Sequence, residues 1–335
     1  MNLLSAAYGT GARLRRSWYR RHPERVHRLA RPVISVGNLA AGGSGKTPIV
    51  AAVASMLRAS GERPVILSRG YARTDRSSPI VVVSDGTRVI EPVARSGDEP
   101  QMLARALPGI PVVVGSDRFA AGERAQSQFD VTVFVLDDGF QHVQLARDVD
   151  LLVVSAADLA DTVLPVGRLR EPLRAAADAD ALLVYGDAAD GSRVAGEIGV
   201  SPVFTVSRHY DAPRLVAPFG AELTVTGRRA VAFAGIARPE RFFAAVRAHG
   251  WEITRELRFP DHHWFTALDL AKVADAARAT AADVVLTTGK DAVRLPEPAS
   301  ESAAPPIAWL PLRVAVEPAD LFLSWLRARM GTAVR

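Results

Sequence analysis

An apolar run, Val33-Ile34-Ser35-Val36, gives way to Gly37-Asn38-Leu39-Ala40-Ala41-Gly42-Gly43-Ser44-Gly45, and a helix-forming segment starts at Lys46-Thr47-Pro48-Ile49. Few folds accommodate that order. The run is short and apolar, as a buried strand is. Glycines reach backbone conformations closed to other residues, so consecutive N–H groups in such a loop can turn toward one point. The helix that follows adds its own unpaired N–H groups and the positive end of its dipole. Strand, glycine loop and helix together make an anion cradle, with an ammonium and a hydroxyl at its exit.

The exit residues specify the anion. In Gly45-Lys46-Thr47 the lysine reaches the β- and γ-phosphates of a nucleoside triphosphate, and the threonine hydroxyl is a Mg²⁺ ligand. The stretch Gly42, Gly43, Ser44, Gly45, Lys46, Thr47 and Pro48 is therefore expected to hold the nucleotide. The first glycine of the usual phosphate-loop pattern is Ala40 here, and Gly42 and Gly43 supply the freedom instead. This is the GG-x-GKT arrangement, in which many ATPases carry an extra lysine before the glycine pair and act across a dimer. Ala41 holds that position, so that dimeric mechanism is not expected. Further on, Val133-Phe134-Val135-Leu136-Asp137-Asp138 reads as an apolar strand tipped by two acids. Such acids belong beside Thr47 at the carboxyl end of a sheet, where they help hold the metal.

The surrounding pattern fits that reading. Short apolar runs at 33–36, 64–67, 80–83, 111–114, 132–136, 151–154 and 181–185 alternate with helical segments at 49–59 and 101–107. Alternation of this kind implies a mostly parallel sheet covered by helices on both faces, an α/β fold. A second, smaller α/β region follows, with strands at 230–234, 283–287 and 307–316 and helices near 239–249 and 268–280. The proline-rich stretch 191–225 separates the two regions. The expected organisation is an N-terminal basic helix over 1–31, a nucleotide domain over 32–200 and a second domain over 201–335.

The net charge of +5 is unevenly placed. Residues 1–31 hold eight arginines against one acid, Glu24, leaving the remainder slightly acidic. Leu3, Leu4, Ala7, Tyr8, Leu14 and Trp18 recur there at roughly helical spacing. An amphipathic basic helix fits an anionic membrane surface; packing on the core is the other reading. No basic excess remains elsewhere to bind nucleic acid. There is no cysteine, which removes thiolate chemistry and disulfides and fits a cytoplasmic protein. Lysine occurs only at 46, 272 and 290 among 41 basic residues, so a retained lysine tends to mark a place needing a compact ammonium.

Several strings are more specific. Gly42-Gly43-Ser44-Gly45-Lys46-Thr47-Pro48 with Leu67-Ser68-Arg69-Gly70-Tyr71 resembles the tetraacyldisaccharide 4′-kinase family. Gly97-Asp98-Glu99-Pro100, Asp117-Arg118, Asp137-Asp138-Gly139-Phe140-Gln141-His142, Leu169-Arg170-Glu171-Pro172, Asp261-His262-His263 and Thr287-Thr288-Gly289-Lys290-Asp291 continue the resemblance in order. It covers about residues 33–295. One departure is Gly289, where the family pattern usually has glutamate.

The resemblance implies that ATP, with Mg²⁺ held by Thr47, Asp137 and Asp138, phosphorylates the 4′-hydroxyl of an acylated glucosamine disaccharide 1-phosphate lipid, giving lipid IV-A. It also implies a peripheral protein at the cytoplasmic face of the bacterial inner membrane. Asp98 is then the proton acceptor and His262 its partner; otherwise Asp98 reads as a helix cap. Lys46 and Asp138 act on the phosphates. Arg118, Gln141, His142, Arg170 and Glu171 are expected around phosphate and sugar. Lys290 follows a strand where other phosphate-loop proteins read the base, while His22, His27, His209 and His249 read as surface or core-edge. A membrane-associated nucleotide switch or GTPase-like protein is the alternative. The pairing of Asp98 with the 261–263 triplet separates the two, because a switch needs no base for a sugar hydroxyl.

Overall fold

The computed structural model describes residues 3–42, 45–296 and 305–332. Gly43 and Ser44 of the expected nucleotide loop lie outside the described residues. The strands are β1 (Val33–Asn38), β2 (Pro64–Ser68), β3 (Ile80–Ser84), β4 (Val112–Gly115), β5 (Val133–Asp137), β6 (Val149–Ser155), β7 (Ala181–Tyr185) and β8 (Val203–Tyr210). They continue as β9 (Arg214–Leu215), β10 (Arg229–Ala234), β11 (Glu252–Arg258), β12 (Val284–Thr288), β13 (Ile307–Leu310) and β14 (Leu312–Glu317).

Nine strands form one sheet in the order β14-β8-β7-β6-β1-β5-β2-β4-β3. Only its two outermost pairings, β14 with β8 and β3 with β4, are antiparallel. Strand β1, which feeds the glycine loop, lies at the centre between β5 and β6. Its residues and those of β2, β5 and β7 are buried throughout, which is why they read as continuous apolar runs. The second sheet has the order β11-β10-β12-β13-β9. Small residues Ala230, Ala232 and Ala234 of β10 let Phe242, Phe243 and Trp251 pack closely on one face, while Phe233 and Phe265 fill the other.

The helices are α1 (Leu3–Arg21), α2 (Lys46–Ala59), α3 (Val93–Ser96), α4 (Asp98–Ala106), α5 (Arg118–Gln128), α6 (Ala188–Ile198), α7 (Pro239–Ala248), α8 (Ala267–Ala279), α9 (Gly289–Ala292) and α10 (Ala319–Thr332). Several starts follow from local chemistry. Asp117 caps α5 by accepting from Ala120 N–H, and Thr266 with Asp269 forms a capping box on α8.

Two expectations change. The apolar run at 307–316 is not one strand. Proline at 311 has no N–H to donate, and the chain leaves β13 in the small sheet to enter β14 in the large one. The boundary expected at 200/201 does not separate the sheets either. Strand β8 pairs with β7, β14 pairs with β8, and α10 sends Phe322, Leu326 and Met330 into the core of the large sheet. The smaller sheet is thus inserted between β8 and β14, and two chain crossings join the modules. The stretch 191–225 is also more regular than its prolines suggest, since it holds part of α6 and all of β8 and β9.

Helix α1 lies on the protein by one face. Ser5, Gly9 and Arg16 are buried, whereas Leu3, Leu4, Tyr8, Leu14 and Trp18 are exposed. The apolar stripe therefore faces away from the core. Among the described residues no helix is long and apolar enough to cross a membrane.

Candidate active site

A cleft of about 1640 Å³ opens between the two modules, at the carboxyl ends of β1, β2 and β5. Gly45 turns the chain into α2 with φ +78°, and a Cβ there would press on the Tyr185 hydroxyl, which donates to Gly45 C=O at 2.7 Å. Only glycine fits that position. Lys46 follows, and its Nζ donates to Asn38 Oδ1 at 2.8 Å and stands 3.3 Å from Asp138 Oδ1.

Arg170 completes this half of the cleft. Its two terminal nitrogens each donate to a different oxygen of Asp138, both at 2.8 Å, and one also reaches Asn38 Oδ1 at 2.5 Å. The loop carrying Arg170 is held against the start of the glycine loop by backbone bonds, Ala41 N–H to Arg168 C=O at 2.6 Å and Arg170 N–H to Leu39 C=O at 2.7 Å. Asn38 is thus a hub for Lys46, Arg170 and, through its own carbonyl, the Gln141 side-chain amide at 2.9 Å. Sequence reasoning missed it; its signal was a lone amide at the end of a buried strand.

The two acids differ. Burial raises Asp138, but the Arg170 fork and Lys46 outweigh it and hold the group at about 2. Its backbone sits at φ +57°, a region aspartate tolerates better than most residues. Burial, and then the nearby carboxylates Glu99 and Asp138, push Asp137 up to about 7, although Ser68 Oγ donates to it at 3.1 Å. A desolvated carboxylate beside two others is a place that gains from a cation. With the Thr47 hydroxyl lining the same cleft, these residues fit a divalent ion with oxygen ligands.

Asp98 lies just behind the other half, where His262 and Lys290 line the cleft. It opens α4, is 3 % exposed, and His262 Nδ1 stands 3.0 Å from its Oδ2. Lys290 Nζ is 3.6 Å and Arg294 Nε 3.8 Å from the same oxygen. Burial works against ionisation, but His262, Lys290 and Arg294 outweigh it and keep Asp98 below the ordinary carboxylate value. The Asp98 side chain does not cap α4 in the usual manner; its Oδ1 accepts from the adjacent Glu99 N–H. His262 sits at φ +59° beside Tyr71, with ring centroids 5.5 Å apart.

The remaining sequence candidates divide. Arg118 is 4 % exposed and, like Gln141 and His142, does not line the cleft; burial and then Arg69 lower it to about 10, while Asp137 and Asp138 pull the other way. Burial, then Arg118 and Arg147, lower His142 to about 4, so it is neutral near pH 7. Glu171 departs from its expected place: it is buried against Arg16 of α1 and not turned to the cleft. His263 points away from Asp98 and bonds to Asp269 at 3.0 Å. Lys290 lines the cleft. It stands at Asp98, 3.2 Å from His262 Nε2 and 3.5 Å from Glu99. Gly289, the departure in the pattern, lies under Trp309, whose ring would press on a Cβ there. None of His22, His27, His209 and His249 lines the cleft; they contact Trp18, Phe119, Ser207 and Tyr210 respectively.

Known proteins resemble the chain over nearly its whole length. A family model described as tetraacyldisaccharide-1-P 4′-kinase (LpxK) matches residues 1–331. A tetraacyldisaccharide 4′-kinase of Geobacter metallireducens is 44% identical over 298 residues, covering 88% of this chain and 87% of the relative. The Syntrophus aciditrophicus kinase of the same name is 36% identical over 341 residues, covering 96% and 90%. A crystal structure of LpxK from Aquifex aeolicus in complex with ATP superposes with a TM-score of 0.79 at 30% identity, covering 98% of this chain and 97% of that one.

Proposed function

The chain belongs to the tetraacyldisaccharide-1-P 4′-kinase family, and we infer that its cleft transfers the terminal phosphoryl group of ATP to the 4′-hydroxyl of a tetraacylated disaccharide 1-phosphate, giving lipid IV-A. The observation that carries this reading is the meeting of two half-sites in one cleft. Lys46 and Arg170 supply positive charge beside Asp138, and Asp98 with His262 supplies a base. A nucleotide switch has no use for the second half.

Phosphoryl transfer asks for in-line placement, charge neutralisation and an acceptor for the hydroxyl proton. Lys46 and the helix α2 N-terminus bind the phosphates. Thr47, Asp137 and Asp138 would hold Mg²⁺, which neutralises triphosphate charge when bound. Arg170 and Lys46 keep Asp138 ionised and aimed. Asp98 takes the proton of the 4′-hydroxyl as its oxygen bonds to the γ-phosphorus and the bond to the β-phosphate oxygen breaks, releasing ADP. His262 and Lys290 orient that carboxylate and favour its ionised form. Arg118, buried behind the cleft wall, adds positive charge near Asp137 and Asp138.

The exposed stripe of α1 and its arginines suit an anionic bilayer, with the helix lying in the interface at the cytoplasmic face of the inner membrane. That placement would bring the lipid substrate to the cleft without removing its acyl chains from the membrane. The deciding experiment is transfer of label from γ-labelled ATP to the disaccharide lipid in detergent micelles. Folded protein that leaves the lipid unlabelled would sink the reading.

A further inference from the structure

Of the eight arginines in residues 1–31, Arg16 alone is buried, at 7 % exposure. A long cationic side chain that merely secured a surface helix could keep its head in water. Arg16 instead gives up hydration, which is costly unless acceptors take its donors. They do, and they come from two separate loops. Nε and one terminal nitrogen form a fork on Glu171 at 2.9 and 3.0 Å. The same terminal nitrogen donates to Phe140 C=O at 3.1 Å, and the guanidinium lies 4.4 Å from the Phe140 ring centroid. The other terminal nitrogen reaches Asp178 at 3.2 Å.

Both loops lead directly into the phosphate half of the cleft. Phe140 lies two residues beyond Asp138, and Glu171 follows Arg170. Arg170 and Asp138 are themselves joined by a fork. The contacts therefore close a ring that runs from Asp138 through Phe140, Arg16, Glu171 and Arg170 back to Asp138. Neighbouring contacts of α1 fall on the same loops: Gly9 packs against Pro172 and Val163, and Arg15 donates to Gln141 C=O at 2.9 Å. The opposite face of the helix carries the exposed Tyr8, Leu14 and Trp18.

We propose that Arg16 is a positioning residue: it ties the seating of α1 to the geometry of the Asp138–Arg170 pair, so that the helix facing the lipid sets the phosphate site. The proposal rests on the functional reading above. Arg16 touches no reacting atom. It fixes the distance between two loops whose tips bind phosphate and metal, and a small displacement there lowers turnover steeply.

The test uses the full chain with Arg16→Met, Arg16→Lys, Glu171→Gln and the double variant Arg16→Met/Glu171→Gln. In detergent micelles Arg16→Met and Glu171→Gln should each lower kcat about tenfold or more, with KM for the lipid within about twofold. The double variant should be no worse than either single one, because both break the same ring. Lysine keeps the charge but not the fork, so Arg16→Lys should recover only part. Partitioning onto phosphatidylglycerol vesicles should stay unchanged. Glu171→Gln is nearly isosteric and keeps the test open if Arg16→Met folds poorly. Unchanged kcat in folded variants, multiplying losses in the double variant, or lost partitioning with intact kcat would each overturn the proposal. A second readout needs no lipid turnover: Mg²⁺-dependent binding of a fluorescent ATP analogue should weaken several-fold in Arg16→Met. Should wild-type protein leave the lipid unphosphorylated while this response persists, the functional reading falls and the coupling stands.

Discussion

His262 Nδ1 stands 3.0 Å from Asp98 Oδ2, although the two residues belong to different modules. Asp98 opens a helix that packs beside the nine-stranded sheet, and His262 follows β11 of the inserted one. The pair exists only where the modules meet. Lys290 and Arg294 reach the same oxygen from beyond β12. The inserted module thus supplies every cationic partner of that oxygen among the described residues, while the aspartate itself comes from the nucleotide module.

Replacing Asp98 with asparagine should therefore damage chemistry more than binding. Loss of a general base typically costs 10²- to 10⁴-fold, so kcat should drop by roughly that factor while KM for ATP moves little. Steady-state kinetics over both substrates checks this. A defect confined to ATP affinity would remove Asp98 from the base role.

Lys290→Met should shift the acid limb of the pH–rate profile upward. Lys290 is one of the charges that hold Asp98 below the usual carboxylate value. With a positive neighbour removed, the neutral acid gains relative to the carboxylate, the pKa rises, and activity fades at a higher pH as the medium is acidified. The readout is the profile of kcat/KM in variant and wild type; coincident limbs would contradict the assignment.

Lys46→Ala should reduce turnover by about 10³-fold or more, since it removes a charge aimed at the transferring group. Asn38→Ala should fall between wild type and that variant, because Asn38 orients Lys46 and Arg170 without carrying charge. Single-turnover rates at saturating ATP would rank the three. An Asn38 variant with wild-type kinetics would remove the hub.

Replacing Leu14 and Trp18 together with serine should weaken vesicle association about tenfold or more, because each side chain is exposed and available to the bilayer. Thermal unfolding should hardly change, for the same reason. Sedimentation with anionic vesicles measures the first effect. Unaltered sedimentation would show that this stripe does not carry the membrane contact.

Much of the large sheet was legible because its central strands are buried on both faces and read as short apolar runs. Strand β11, Glu252–Arg258, was not legible. It lies at a sheet edge, holds only two apolar residues among charged and polar ones, and has no buried residue. The run at 307–316 read as one strand because apolarity reports burial and not which sheet does the burying. In the site, Lys46, Thr47, Asp137 and Asp138 were found from their order along the chain. Asn38 and Arg294 were not, since a single polar residue carries no pattern of its own.

The amino-acid order alone determined the glycine-loop cradle, the acidic strand tip and the α/β character, because each depends on residues adjacent in the chain or on the burial period of one element. Tertiary structure decided which distant groups share a charge. It set Lys290 at Asp98, turned Glu171 inward to Arg16, and returned β14 to the large sheet. Those outcomes depend on electrostatic and packing contacts between segments more than a hundred residues apart, and local propensity carries no record of them.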